Sequence, residues 1–421
     1  MADTDHGTDD GTDAGFVVIG GGLGGAKAVE ALRAKGYDGP LTLIGREEEL
    51  PYERPPLSKS YLAGESDFAD AIVHKQHWYE DNDVNLRLGV DVTGLDARKH
   101  ELTLDDDETV GYTKLLLATG STPRLLGVPG AVAENVLTLR TRADSDRIRE
   151  LFGPKNHLVI VGGGWIALEV AAAARTAGTA VTLVERGEEP LASTFGVGIG
   201  KVFRDLHREH EVDVRTGLEV AEVLSTEGRV TGVRLTDSST VDATAVVLAV
   251  GAVPDLTLPL DAHLEVGDGV HVDASLRTSD PDIWAVGDIA AHDHPVLGLR
   301  VRVEHWAAAL NQPAIAAASM LGESVVYTDL PYVFSDQYDL GLEYIGYAPP
   351  GSYDRVVVRG DLSTRKFVAF YLDDRSRIMA ALAVNTWDVI DEIKPLITAK
   401  VVVSTTGLQN PSITYAELGT R

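Results

Sequence analysis

Phe16-Val17-Val18-Ile19-Gly20-Gly21-Gly22-Leu23-Gly24-Gly25 is a run of four apolar residues that breaks, without a linker, into six residues of which five are glycine. An alanine-rich helical pattern follows from Ala26 to Lys35 and is closed by Gly36; a second apolar strand, Leu41-Thr42-Leu43-Ile44, comes after Pro40. Strand, glycine turn, helix and strand in that order specify a dinucleotide-binding unit, with Gly20, Gly22 and Gly25 at the three places where each glycine has its own task. The first permits the tight turn, the second lets the backbone approach a pyrophosphate, and the third allows the helix to pack closely on the strand. The N–H groups at the start of the helix then face the anion.

The same pattern recurs 142 residues later. Leu158-Val159-Ile160-Val161 runs into Gly162-Gly163-Gly164-Trp165-Ile166-Ala167, and a helical stretch to Gly178 leads to Ala180-Val181-Thr182-Leu183-Val184. Glu185 ends that strand, about 20 residues after the turn, where an acid accepts hydrogen bonds from an adenosine ribose. Each unit has a later strand with a similar ending: Leu115-Leu116-Leu117-Ala118-Thr119-Gly120 for the first, and Val246-Val247-Leu248-Ala249-Val250-Gly251 for the second. Ile283-Trp284-Ala285-Val286-Gly287-Asp288 delivers an aspartate to a strand's carboxyl end, where ligands sit in such sheets. After about Val325 the pattern changes to strand-like pieces, Val356-Val357-Val358 and Phe367–Tyr371, followed by a helical stretch around Asp388 to Ile397.

The predicted fold class is therefore α/β: two Rossmann-like dinucleotide-binding domains and a C-terminal α+β domain. The boundaries read from the sequence are an acidic tail at 1–13, a discontinuous first domain at 14–120 and 251–325, a second at 121–250, and the α+β domain at 326–421. The acidic run Asp105-Asp106-Asp107-Glu108 reads as a turn between two strands.

Composition narrows the chemistry. The chain has 421 residues, 37 Lys+Arg against 64 Asp+Glu, and a net charge of −27, which argues against nucleic-acid or anionic-membrane partners. The longest apolar stretch, Ala243 to Val253, is far short of the roughly 20 residues that span a bilayer, and the acidic start has no signal-peptide pattern, so a cytoplasmic protein is expected. There is no cysteine. Disulfides, thiolate metal sites and cysteine nucleophiles are thereby excluded, and redox chemistry must use a bound cofactor. The 12 histidines show no metal-ligand spacing, and no metal is expected at His292 and His294 or elsewhere.

Taken in order from about Gly15, these landmarks resemble the FAD-dependent NAD(P)H:ferredoxin reductases of bacterial oxygenase systems. Two segments carry the resemblance beyond the glycine turns: Arg54-Pro55-Pro56-Leu57-Ser58-Lys59, and Pro331-x-x-Phe334-Ser335-Asp336-Gln337. The resemblance implies that the first unit holds FAD, with Gly20, Gly22, Leu23, Gly24 and Gly25 at its pyrophosphate, Asp288 after Gly287 on the ribityl chain, and Ala118-Thr119-Gly120 beside it. Arg54, Val92, Arg124 and Trp306, the last within Glu304-His305-Trp306, match positions near FAD. Lys59 would lie at the flavin N5 edge, paired with Glu169. The second unit would hold the nicotinamide cofactor through Gly162, Gly164, Trp165, Ile166, Glu185, Arg186 and Gly251. The implied reaction passes hydride from NADH to FAD and then single electrons to a [2Fe–2S] ferredoxin feeding a cytochrome P450 or a Rieske oxygenase. The alternatives are an NADH:quinone or diaphorase-type dehydrogenase, or a redox-regulated binding flavoprotein like apoptosis-inducing factor.

The sequence departs from the family in three places. The acid expected after the first unit's second strand is replaced by Gly45-Arg46-Glu47, which leaves Arg46 along the adenosine or pyrophosphate and Glu47 or backbone groups on the ribose. The third glycine of the second turn is Ala167. Aromatic residues at Tyr332 and Phe334 stand where relatives often carry tryptophan, which favours packing over electron relay. Glu185 repels a 2′-phosphate and favours NADH, whereas Arg186 can pair with that phosphate and keeps NADPH open. For docking an acidic ferredoxin, a basic patch around Arg300, Arg302, Lys394 and Lys400 is the sequence's candidate. The oligomeric state is not readable.

Overall fold

The strand Phe16–Ile19 forms because four consecutive apolar residues, all buried, can be covered on both faces only inside a parallel sheet. In the computed structural model, which describes residues 14–419, it is the centre of five parallel strands. Their order is Ile283–Ala285, Lys114–Leu117, Phe16–Ile19, Leu41–Gly45 and Val84–Leu88. A second parallel sheet shares four of these five positions around His157–Val161, with Ala180–Glu185 and Asp213–Thr216 on one side and Ala245–Leu248 and Val136–Thr138 on the other; its edge strand Val136–Thr138 precedes the central strand in the chain, whereas Ile283–Ala285 follows it. Each half also carries a three-stranded antiparallel sheet, Val92–Gly111 in the first and Val220–Asp242 in the second. The acidic run 105–108 turns between the strands Glu101–Leu104 and Thr109–Gly111, as predicted.

The C-terminal region is a five-stranded antiparallel sheet in the order Tyr332–Gln337, Leu340–Gly346, Ile378–Val384, Lys366–Leu372, Arg355–Asp361. Helices Ile390–Thr398 and Thr405–Gln409 follow it, so strands precede helices as the sequence implied.

The chain forms two compact units. One comprises the residues up to Glu53, Ile72–Ser121 and Pro254–Thr328; the other comprises Arg54–Ala71, Thr122–Val253 and the chain from Asp329 onward. The segment Arg54–Ala71, which lies within the first dinucleotide-binding half in sequence, thus packs with the second sheet and the C-terminal sheet. The acidic residues 1–13 lie outside the described residues. Among the described residues, no helix is long and apolar enough to cross a membrane.

Candidate active site

In the first unit, the central strands end side by side, with Ile19 level with Leu117 and Ile44. Immediately beyond them the backbone becomes crowded. Gly20 has φ +124°, and a Cβ there would lie 2.2 Å from the Ala118 carbonyl oxygen. A Cβ on Gly25 would lie 2.0 Å from the Gly20 oxygen and 2.9 Å from Leu43 Cδ1. Gly22 is different: nothing lies within 4 Å of where its Cβ would be, and it precedes the helix Leu23–Ala34 with no side-chain cap on the first turn. The turn is therefore closed against the protein at Gly20 and Gly25 and open at Gly22, beside uncapped N–H groups. Thr119 Oγ1, also past a strand end, is buried with no hydrogen-bond partner. An open backbone concavity, a bare helix N-terminus and an orphan hydroxyl together fit a dinucleotide's pyrophosphate.

Asp288 follows Gly287 (φ +75°) in a 3-10 turn after the strand Ile283–Ala285. Ser121 Oγ donates to Asp288 Oδ2 at 2.8 Å, Arg302 Nη1 donates to its carbonyl at 3.1 Å, and Gly287 N donates to the buried Gln312 Oε1 at 2.7 Å. Leu23 is buried, and its helix packs on Trp306–Met320, where a Cβ on Gly24 would make only ordinary contacts with Ala118, Val286 and Ala309. Trp306 Nε1 donates to Glu53 Oε2 at 3.1 Å, His305 caps that helix in extended conformation, and Glu304 accepts from Arg302 at 2.6 Å. Val92 is buried. Arg46 is exposed and paired with Asp91 at 2.9 Å and Asp255 at 3.8 Å. Glu47 accepts from Tyr52 Oη at 2.5 Å.

In the second unit, Gly162 repeats Gly20: φ +110°, with a Cβ position 2.3 Å from the Ala249 oxygen. Gly164 repeats Gly22, open on all sides and preceding the uncapped helix Trp165–Thr176. Trp165 packs edge-on against Phe195 at 5.2 Å, and Ile166 is exposed. Glu185 folds back on its own loop, its Oε1 accepting from Gly187 N at 2.6 Å. Arg186 is exposed. Gly251 (φ +97°) has open space around it and accepts at its carbonyl from Arg124 N at 2.9 Å, with the Arg124 side chain exposed.

Lys59 and Glu169 also belong to this unit. Lys59 Nζ stands 2.8 Å from Glu169 Oε2, with the lysine side chain 18% exposed and the glutamate 4%. Arg54-Pro55-Pro56 starts the 3-10 turn that presents Lys59, and Arg54 Nη1 anchors it by donating to the Arg140 carbonyl. The Phe334 ring lies under the Lys59 ammonium, 5.4 Å from Nζ to the ring centre. Sequence reasoning missed the rest of the cluster. Ser58 Oγ donates to Glu169 Oε2 at 2.5 Å and Ser335 Oγ donates to Oε1 at 2.6 Å. The legible signal was polar residues in an otherwise apolar alternation: Ser335 and Gln337 are buried, and Asp336 between them is exposed.

With these two halves in view, the comparisons decide the family. The family model described as pyridine nucleotide-disulphide oxidoreductase matches residues 15–312, and one described as reductase C-terminal matches 332–418. The chain belongs to the pyridine nucleotide-disulphide oxidoreductase family. It is an oxidoreductase, and the family implies FAD and NAD(P)H. It is 38% identical over 401 residues to the ferredoxin–NAD(+) reductase component of the anthranilate 1,2-dioxygenase system of Burkholderia cepacia, covering 94% of this chain and 97% of that one. It is 35% identical over 407 residues to putidaredoxin reductase of Pseudomonas putida, covering 96% of each. It matches the reductase in the crystal structure of the covalent putidaredoxin reductase–putidaredoxin complex with a TM-score of 0.91 at 33% identity, covering 97% and 98% of the two chains. The family's disulphide chemistry is closed to this member, which has no cysteine.

The basic docking patch expected from the sequence does not form. Arg300 holds Asp293 through two contacts at 2.8 and 3.0 Å. Arg302 is only 10% exposed and is paired with Asp268 at 3.1 Å and Glu304 at 2.6 Å, and Lys394 stands 3.7 Å from Asp329. Opposite charges at these distances cancel the local potential, so three of the four candidates present no unbalanced positive charge. His292 and His294 are buried on one strand, and no group of three His, Asp or Glu able to hold a metal occurs among the described residues.

Proposed function

We propose that this chain is an NADH-dependent ferredoxin reductase, passing electrons from NADH by way of FAD to a [2Fe–2S] ferredoxin that serves a Rieske oxygenase or a cytochrome P450. FAD, when bound, supplies the conversion of a hydride equivalent into single electrons. The residues of the chain orient and select. The Gly20–Gly25 turn and the helix behind it take the FAD pyrophosphate, and Asp288, held by Ser121, takes a ribityl hydroxyl. The Gly162–Ala167 turn takes the nicotinamide dinucleotide, and Glu185 accepts from its ribose 2′-hydroxyl. Lys59, held by Glu169, is the residue that the resemblance carried by Arg54–Lys59 assigns to the flavin N5 edge.

The observation that carries this reading is the combination of two open glycine turns with a chain that has no cysteine. Electrons arriving through the second turn have no thiol relay in this polypeptide and must leave from the flavin itself. The relatives' names, which specify ferredoxins of dioxygenase systems and putidaredoxin, support the choice of acceptor. The test is steady-state NADH oxidation by the flavin-loaded protein with and without [2Fe–2S] ferredoxins. The expected result is a rate at least tenfold higher with a cognate ferredoxin. Fast quinone turnover with no acceleration by any ferredoxin would overturn the proposal.

A further inference from the structure

The Ser335-Asp336-Gln337 segment has no part in the function proposed above, yet its two buried side chains begin a chain of hydrogen bonds. Ser335 Oγ donates to Glu169 Oε1 at 2.6 Å; Gln337 Nε2 donates to Ser335 Oγ at 3.3 Å; Gln337 Oε1 accepts from His207 Nε2 at 3.1 Å. His207 is fully buried on the inner face of the helix Val197–Glu209, among Ile199, Val202, Phe203 and Leu206. Its Nδ1 has no partner.

The chemistry of these groups gives the chain one direction. An amide oxygen only accepts, so His207 Nε2 carries the hydrogen and Nδ1 the lone pair. Burial, foremost, pushes His207 down to about 4, so the ring is neutral in that tautomer at neutral pH. The amide nitrogen of Gln337 only donates, so the Ser335 hydroxyl has its hydrogen left for Glu169. Glu169 therefore receives donors on both oxygens: Ser335 on Oε1, and Ser58 and Lys59 on Oε2. A carboxylate held on both oxygens cannot rotate, and the ammonium it holds stays in one place over the Phe334 ring.

We propose that Ser335, Gln337 and His207 are positioning residues that set where Lys59 stands, acting through Glu169. The proposal rests on the reading of Lys59 as the residue beside the flavin, and it assigns a role to three residues from two distant stretches of chain. Its test reads Lys59 and His207 directly, in the flavin-loaded protein with no ferredoxin present, so a failed ferredoxin assay leaves the result intact.

The rate of amine acylation at Lys59 is measured by peptide mass, with exposed Lys366 in the same unit as internal reference. Ser335→Ala removes the donor, and the near-isosteric Gln337→Glu turns a donor into an acceptor that competes for the Ser335 hydroxyl. Both are expected to raise the Lys59 rate relative to Lys366 by roughly fivefold, the factor that one net hydrogen bond supplies. Both are also expected to shift the flavin's visible absorption and midpoint potential, and Ser335→Thr, which keeps the hydroxyl, is expected to restore wild-type values. An unchanged Lys59 ratio in folded Ser335→Ala would overturn the proposal. The unmodified protein supplies a second test that needs no variant: ¹⁵N NMR of His207 is expected to show the Nε2–H tautomer at neutral pH. An Nδ1–H ring or an imidazolium would reverse or break the chain and overturn the proposal equally.

Discussion

The two glycine turns, Gly20–Gly25 and Gly162–Ala167, sit at the same place in two parallel sheets that share the order of four of their five strands, yet they are not interchangeable. In the first, a methyl at the third position would strike the Gly20 carbonyl at 2.0 Å; in the second, Ala167 carries that methyl and is fully buried without conflict. The ends of the second strands differ in the opposite sense. Glu185 brings a carboxylate to the turn, with Oε2 2.8 Å from where a Gly163 Cβ would be. Gly45, its counterpart, packs so closely that a Cβ would lie 2.9 Å from Gly21 Cα. One half thus excludes a side chain at the position where the other half carries a carboxylate. A repeated motif specifies a common topology, and the fit around its turn decides which ligand groups are read by side chains and which by backbone.

The largest effect is expected from making the first turn like the second. Gly25→Ala should lower the flavin content of the purified protein at least tenfold, read as the ratio of flavin to protein absorbance; near-stoichiometric flavin would show that the clash relaxes. Next in size is acid sensitivity, for which each unit holds a strongly shifted histidine. His292 in the first unit and His207 in the second are both pushed to about 4, mainly by burial, with a neighbouring histidine (His294 and His210 respectively) acting in the same direction. Both folded values lie below the ordinary 6.5, so the unfolded chain takes up the proton first. Stability present above about pH 6.5 is then lost as pH falls towards 4, by up to about 3 kcal/mol per histidine. Unfolding midpoints from pH 7 to 4.5 should fall steadily, and less steeply in His207→Phe; a flat profile in the parent protein would refute this.

A smaller effect is expected from removing the acid that only the second half has. Glu185→Ser should shift kcat/KM for NADPH relative to NADH by roughly tenfold, or about 1.4 kcal/mol. An unchanged ratio would mean that Arg186 or the backbone sets the preference. Restoring the glycine with Ala167→Gly should cost at most about 1 kcal/mol, the helix propensity difference, with nicotinamide KM nearly unchanged. The smallest effect is expected from neutralising the pair as a whole, Arg300→Gln with Asp293→Asn. Because the two charges already cancel, KM for ferredoxin should move less than about twofold, within what an exposed ion pair is worth.

The parts of the molecule legible in the sequence are those governed by short-range rules. Gly20, Gly22 and Gly25 declare a turn, a helix start and a packing contact within six residues, and their repetition declares two Rossmann-like domains. Lys59 and Glu169 were legible only through the Arg54–Lys59 segment, because nothing local tells a lysine that its partner lies on a helix begun more than a hundred residues later. Ser335, Gln337 and His207 were harder still, since a buried polar residue looks like a surface one until its donor and acceptor are known. The basic patch was misread for two reasons of different depth. Arg300 and Asp293 face each other across one hairpin, a pairing that strand register could have revealed. Arg302 is neutralised by Glu304, two residues on, and by Asp268, 34 residues away; only the second pairing is hidden from every local pattern.

The strand Tyr332–Gln337 also has a bearing on synthesis. Ser335 supplies the hydrogen for Glu169 from 166 residues further along the chain. During translation, the helix bearing Glu169 leaves the ribosome long before its donor exists, and the carboxylate has only Ser58 and Lys59 as company. Ser335 and Gln337 alternate on one face of their strand, so a pairing slip of one residue would turn both outward and offer Asp336 instead. That would set one carboxylate against another. The Ser335 donor therefore reaches Glu169 only in the register that the C-terminal sheet adopts.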